Sequence, residues 1–180
     1  MIANALGHPQ HDYSLQEQIK IGLRVVEPGQ KNVEMAKILK FKPSPGTPST
    51  SYPSAPMFKE YLVKPHYEIF VGGENDIIKK IHTALICPQR PLYLGQSDDL
   101  VEIDTSEVVD VPQIKTNEFH TIVEGIYDNC FIERVPYEFH EGNGKYSLEY
   151  KTVSIPKILG HTVKKSGYAA NFEGINTFLF

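Results

Sequence analysis

The order of elements along the chain predicts an α+β fold: a ferredoxin-like domain followed by a β-rich C-terminal extension. Two stretches that alternate and carry aromatic and β-branched residues, 57–63 and 66–71, run straight into 74–86, where Ile77, Ile78, Ile81, Ala84 and Leu85 recur at helical spacing. A proline bracket at Pro88 and Pro91 then stops the helix, and Leu92-Tyr-Leu94 with Gly95 reads as a short strand entering a tight turn. Strand, strand, helix, strand is the later part of a βαββαβ unit.

Taken in order, residues 1–7 read as the last turns of an apolar helix closed by Gly7, with His8-Pro9 as the exit. Ser14-Leu-Gln-Glu17 has the spacing of a capping box, with Ser14 as N-cap, and it predicts a single helical turn feeding the alternating strand 19–26. Glu27-Pro-Gly-Gln-Lys-Asn32 is a turn of the type II kind, and 33–41 returns as a second strand or a helix. Residues 43–56 hold five prolines among Ser and Thr, with Tyr52 as the one large apolar group, so the run predicts an extended excursion from the sheet. After the 92–94 strand, residues 106–111, 119–123, 130–139 and 145–155 read as strands, with Gly142-Asn-Gly144 as a hairpin turn. The closing Asn176-Thr-Phe-Leu-Phe180 reads as an edge strand or a contact tail.

With 180 residues, 41% hydrophobic and 22% charged, the chain can bury one sizeable core. The two cysteines, Cys87 and Cys130, are too few for a disulfide scaffold and fit a reducing compartment, and no leader or membrane span is evident. The cytoplasm is the expected location. Charge is uneven: 15–66 carries eight Lys or Arg against four acids, whereas 97–149 carries three basic residues against thirteen acids. An anionic ligand is therefore expected on the first part, and the second would repel RNA or face a basic partner.

Several chemistries lack their residues. His8-Pro-Gln-His11 offers two metal ligands without a third, Gly72-Gly-Glu74 lacks the Lys and Ser or Thr of a phosphate loop, and no Gly-x-Ser-x-Gly elbow is present. No catalytic residue, metal or cofactor is expected, and Cys87 reads as a core residue. Single-stranded RNA needs cations interleaved with aromatic rings. Lys37, Lys40, Phe41, Lys42, Tyr52, Phe58, Lys59, Tyr61, Lys64 and His66 provide that mixture on one expected sheet edge and its loop, and Arg90, Gln96 and Ser97 flank the glycine turn where backbone N–H groups could meet phosphate.

The segment Arg90-Pro-Leu-Tyr-Leu-Gly-Gln-Ser-Asp-Asp-Leu100 resembles the Leu-Tyr-Leu-Gly-(Arg/Gln)-Ser motif of the Cas-five family, the RAMP-type subunit of type I CRISPR interference complexes. The resemblance implies an RRM/RAMP ferredoxin-like domain over 1–104 with a projecting thumb loop over 42–57, then a β-rich extension over 105–180. It implies a non-catalytic subunit of a type I Cascade complex in antiviral defence. That subunit would hold the 5′ handle of the guide RNA (crRNA) and contact a Cas-seven-type backbone subunit and the large Cascade subunit. Relatives often carry Arg where Gln96 stands here. In the family a β-strand precedes the first helix, and here that strand is absent, which would leave sheet edges unpaired and open to association. Two alternatives follow. Members of the type I-C branch cut repeat RNA without metal through a Tyr/Lys/His set, which Tyr61, Lys64 and His66 could mimic without matching that branch's motif. A protein-only assembly module is the other, motivated by the acidic segment and the apolar tail.

Overall fold

Alternation and helical spacing decide most of the elements that form. The computed structural model describes residues 1–9, 11–39, 54–96, 99–142 and 145–180. In chain order they are α1 (Ile2–Ala5), a 3-10 turn (Ser14–Glu17), β1 (Ile19–Glu27), β2 (Gln30–Leu39), β3 (Ser54–Val63), β4 (His66–Gly73), α2 (Asn75–Ile86), β5 (Gln113–Phe119), β6 (Val123–Glu124), β7 (Cys130–Gly142), β8 (Lys145–Pro156), β9 (Val163–Phe172) and β10 (Ile175–Thr177). They fall into two compact units, Met1–Arg24 with Glu68–Phe180, and Val25–Tyr67.

In the first unit α2 buries its apolar stripe. Ile81 packs with Ile2 of α1 and with Leu15, and Ile77, Ile78, Leu85, Ile19 and Val71 close around them. The helix ends at Cys87, just before Pro88, whose ring has no N–H to continue it. β1 pairs with β4, and half-buried Arg24 Nη1 lies 3.1 Å from Glu68 Oε2. Further backbone groups of β1 are taken up elsewhere: Leu23 O accepts from Ile122 N at 2.8 Å and Ile21 O from Phe180 N at 3.1 Å.

The rest of this unit consists of two three-stranded sheets, ordered β10-β9-β5 and β6-β8-β7, with antiparallel pairing throughout. Their core is Phe119, Val123, Cys130, Val163 and Ala169, with Ile114, Tyr127 and Phe178 against it. Buried polar groups there are satisfied, as such groups must be. Thr121 Oγ1 accepts from Phe178 N at 2.9 Å, and Ser154 Oγ donates to Gly125 O at 2.8 Å while accepting from Tyr127 N at 3.0 Å.

Several expectations are corrected here. Residues 92–94 do not join β1 and β4: Tyr93 makes a single antiparallel bridge to Leu100 across the turn at Gly95, whose φ is +105°. The backbone groups of this segment are instead taken up across its own turn, with Leu94 N donating to Asp99 O at 3.1 Å and Val101 N to Leu92 O at 3.2 Å. Ser14 does not cap through its side chain; Asp12 Oδ1 instead accepts from both Ser14 N, at 3.0 Å, and Ser14 Oγ, at 2.7 Å. Residues 106–111 form no strand, and the β-structure that follows α2 begins with β5 at Gln113. Cys87 is exposed, and Cys130 is the buried thiol, held above its usual pKa by burial. Ser54, Ala55 and Pro56, expected in the excursion, already belong to β3, where Pro56 lies opposite Lys37 in a two-stranded ribbon that tolerates the missing donor.

Candidate nucleic-acid interface

The Val25–Tyr67 unit is built on one antiparallel hairpin, β2 with β3, in unbroken register from Gln30↔Val63 to Leu39↔Ser54. A two-stranded ribbon has no covering layer within its own sheet, so both faces present side chains outward. One face carries Asn32, Glu34, Ala36 and Ile38 with Tyr61, Lys59, Met57 and Ala55 opposite them. The other carries Lys31, Val33, Met35 and Lys37 with Leu62, Glu60, Phe58 and Pro56.

The register therefore separates residues that the sequence placed in a single groove. Lys59 and Tyr61 share a face, with Lys59 opposite Glu34, and the Tyr61 hydroxyl accepts from Asn32 Nδ2 at 3.1 Å. Lys37 is exposed on the opposite face, beside Met35 and Phe58, which are 70% and 73% exposed. On that face Lys31 Nζ meets Glu60 Oε2 at 2.7 Å. Lys64 is exposed at the bend before Pro65 and holds a left-handed φ of +52°, a conformation that costs free energy in any residue other than glycine. His66, also exposed, opens β4.

Arg90 lies in the other unit and serves the fold. Its Nη1 donates to His8 O at 2.8 Å and its Nη2 to Gly7 O at 3.3 Å, a cation set against the carbonyl end of α1. Gln89 N adds a bond to Ala5 O at 3.0 Å, and Asn4 Nδ2 one to Pro91 O at 2.9 Å. Gln96 N donates to Asp99 Oδ2 at 3.0 Å within the turn. Lys40, Phe41, Lys42, Tyr52 and Ser97 lie outside the described residues. His8 and His11 have separate partners: His8 Nδ1 is 3.1 Å from Asp12 Oδ2, and His11 Nδ1 is 3.1 Å from the Tyr13 hydroxyl.

Sequence reasoning missed the apolar character of the hairpin. Phe58 was among the candidate residues, but Val33, Met35 and Leu62, which share its face, were not, and all four are exposed. Among the described residues β2 and β3 pair only with each other, which leaves both faces of the ribbon without a neighbouring strand. An exposed ribbon with lysines, a tyrosine and a phenylalanine can meet phosphates with its cations and bases with its rings.

The family model described as CRISPR-associated protein (Cas_Cas5) matches residues 1–157. The chain belongs to that family. A solved chain titled "CRISPR RNA-guided surveillance complex" is similar to this Cas5-family chain with a TM-score of 0.54 and 16% identity, over 93% of this chain and 76% of that one. At that identity the likeness concerns the fold, which in this chain is mixed and rich in strands with few helices. No curated protein matches the sequence. Among the described residues of the Cas5-family chain, no helix is long and apolar enough to cross a membrane.

Proposed function

We propose that this chain is a non-catalytic, RNA-binding subunit of a type I Cascade complex. It holds the 5′ handle of the guide RNA and contacts a Cas-seven-type backbone subunit and the large subunit, and it works in the cytoplasm. The observation that carries this reading is the family match over residues 1–157. The solved surveillance complex of similar fold supports it. So does the β2–β3 hairpin, which carries Lys59 with half-buried Tyr61 on one face and Lys37 with exposed Phe58 on the other, in the stretch where basic residues outnumber acids. A ferredoxin-like arrangement of β1, β4 and α2 belongs to the same reading, with the hairpin and the residues it flanks acting as the thumb.

The test is handle RNA binding by the intact chain. A Lys40→Glu/Lys42→Glu/Lys59→Glu variant should lose affinity steeply at low salt. Because each phosphate contact on a single strand contributes roughly 0.7 to the slope of log K against log salt, three lost contacts should lower that slope by about 2. An unchanged dissociation constant and slope would remove this surface from the RNA path. The same incubation in EDTA separates binder from nuclease. A product ending in a cyclic phosphate would favour the Tyr61, Lys64 and His66 alternative, with the 2′-hydroxyl as attacking group.

A further inference from the structure

Towards its far end the β7–β8 hairpin gathers rings and a carboxylate on one face. Past the irregularity between Pro136 and Glu138, Phe139 lies opposite Leu148 and Glu141 opposite Tyr146, so these side chains share one face. The segment before β1 folds onto it. Tyr13 stacks on Phe139 with ring centroids 4.9 Å apart and planes 4° from parallel, and His11 stacks on Tyr146 at 5.1 Å and 19°. Gln16 fastens this contact, donating from Nε2 to Phe139 O at 2.8 Å and accepting Phe139 N at Oε1 at 3.1 Å. Burial, and then the Glu141 carboxylate beside it, raise the pKa of the Tyr146 hydroxyl. Even so, Phe139 and Tyr146 remain 40% and 50% exposed.

Nearer the base of the same hairpin, exposed rings are already served. Arg134 Cζ lies 4.9 Å from the Tyr150 centroid, Lys151 Nζ 3.8 Å from that of Tyr137, and Lys157 Nζ 5.9 Å from that of Phe131. Among the described residues no Lys or Arg lies over Phe139 or Tyr146. The opposite face of the tip is also anionic: Glu138 and Glu149 stand directly across from one another, with His140 Nδ1 3.8 Å from the first and Nε2 3.6 Å from the second.

We propose that the Phe139, Glu141 and Tyr146 face, backed by Tyr13 and His11, docks a protein partner through an arginine- or lysine-bearing segment. The cation sits on the Phe139 and Tyr146 rings and pairs with the Glu141 carboxylate. Charge complementarity selects a basic peptide over RNA, since a phosphate arriving here would meet Glu141, with Glu138 and Glu149 on the other face of the same two-stranded ribbon, in a stretch, 97–149, that holds thirteen acids against three bases. The inference does not rest on the handle-RNA reading, which concerns the β2–β3 hairpin.

The test titrates the full chain with a blocked tetra-arginine peptide and, separately, with octauridylate, while following the aromatic ring resonances by NMR. Tetra-arginine should shift the Phe139 and Tyr146 rings saturably. Glu141→Gln and Tyr146→Leu should each weaken its binding about 3- to 5-fold, the scale of an exposed cation–π contact, with handle RNA affinity unchanged. Shifts scattered over other acidic surfaces, unchanged wild-type affinity in both variants, or octauridylate moving the same rings would overturn the proposal. The conservative Glu141→Gln change keeps the test valid if loss of the Tyr146 ring disturbs the hairpin.

Discussion

Phe119→Ala is expected to destabilise the protein by about 3–5 kcal/mol, the range for removing a fully buried phenylalanine whose site cannot collapse. Phe119 is 0% exposed at the end of β5, directly opposite Val163, and its ring meets Phe178 edge-on at 5.7 Å. The neighbours that would have to fill the hole come from separate strands: Val123 from β6, Cys130 from β7, and Val163 and Ala169 from β9. Each is held by its own ladder, so the cavity persists. For a chain of this size the melting temperature should fall by about 10 °C or more. A drop of only a degree or two in a thermal melt would mean that this core is not packed as described.

Gly22→Ala comes next, at about 2–3 kcal/mol, because it overfills a contact in which the main chain itself is the obstacle. A Cβ on Gly22 would lie 2.5 Å from Thr177 Cγ2 and 2.8 Å from Phe178 O. The side chain of Thr177 is buried, and the Phe178 carbonyl is backbone, so neither can turn aside without moving the 175–180 tail. That tail would then lose the bond from Phe180 N to Ile21 O. Amide hydrogen exchange at Phe180 should accelerate along with the fall in stability. Gly72→Ala is the control: its added Cβ would meet only Leu179 Cδ1, at 2.8 Å, the far end of a flexible side chain, and should cost much less. Equal effects at the two glycines would show that the tail is not wedged against β1.

How much of this was legible depends on what each feature takes from its neighbours. β1, β3, β4 and α2 declare themselves because their periods of two and 3.6 are written in Ile, Val, Tyr and Phe. β9 does not: Val163-Lys-Lys-Ser-Gly-Tyr-Ala-Ala170 has little apolar bulk, and it becomes a strand because β5 and β10 supply ladders on both of its edges. Arg90 was legible as a cation but not as the clasp on α1, since the carbonyls it binds belong to Gly7 and His8, more than eighty residues away. In the hairpin the candidate residues were readable and their faces were not. Strand pairing decides that Lys37 meets Pro56, and a slip of one residue would have moved it to the face of Lys59 and Tyr61. The acidity of 97–149 was plain in the sequence, whereas the stacking of Tyr13 on Phe139 and His11 on Tyr146 depends on a long-range fold.

Photocrosslinking with a handle RNA containing 4-thiouridine, followed by mass spectrometry of the linked peptides, puts the question to the molecule most directly. Adducts should concentrate within residues 25–67 and be lost in the triple lysine variant. Adducts on the β7–β8 hairpin, or an RNA that links nowhere on the chain above background, would contradict an RNA path along the β2–β3 hairpin.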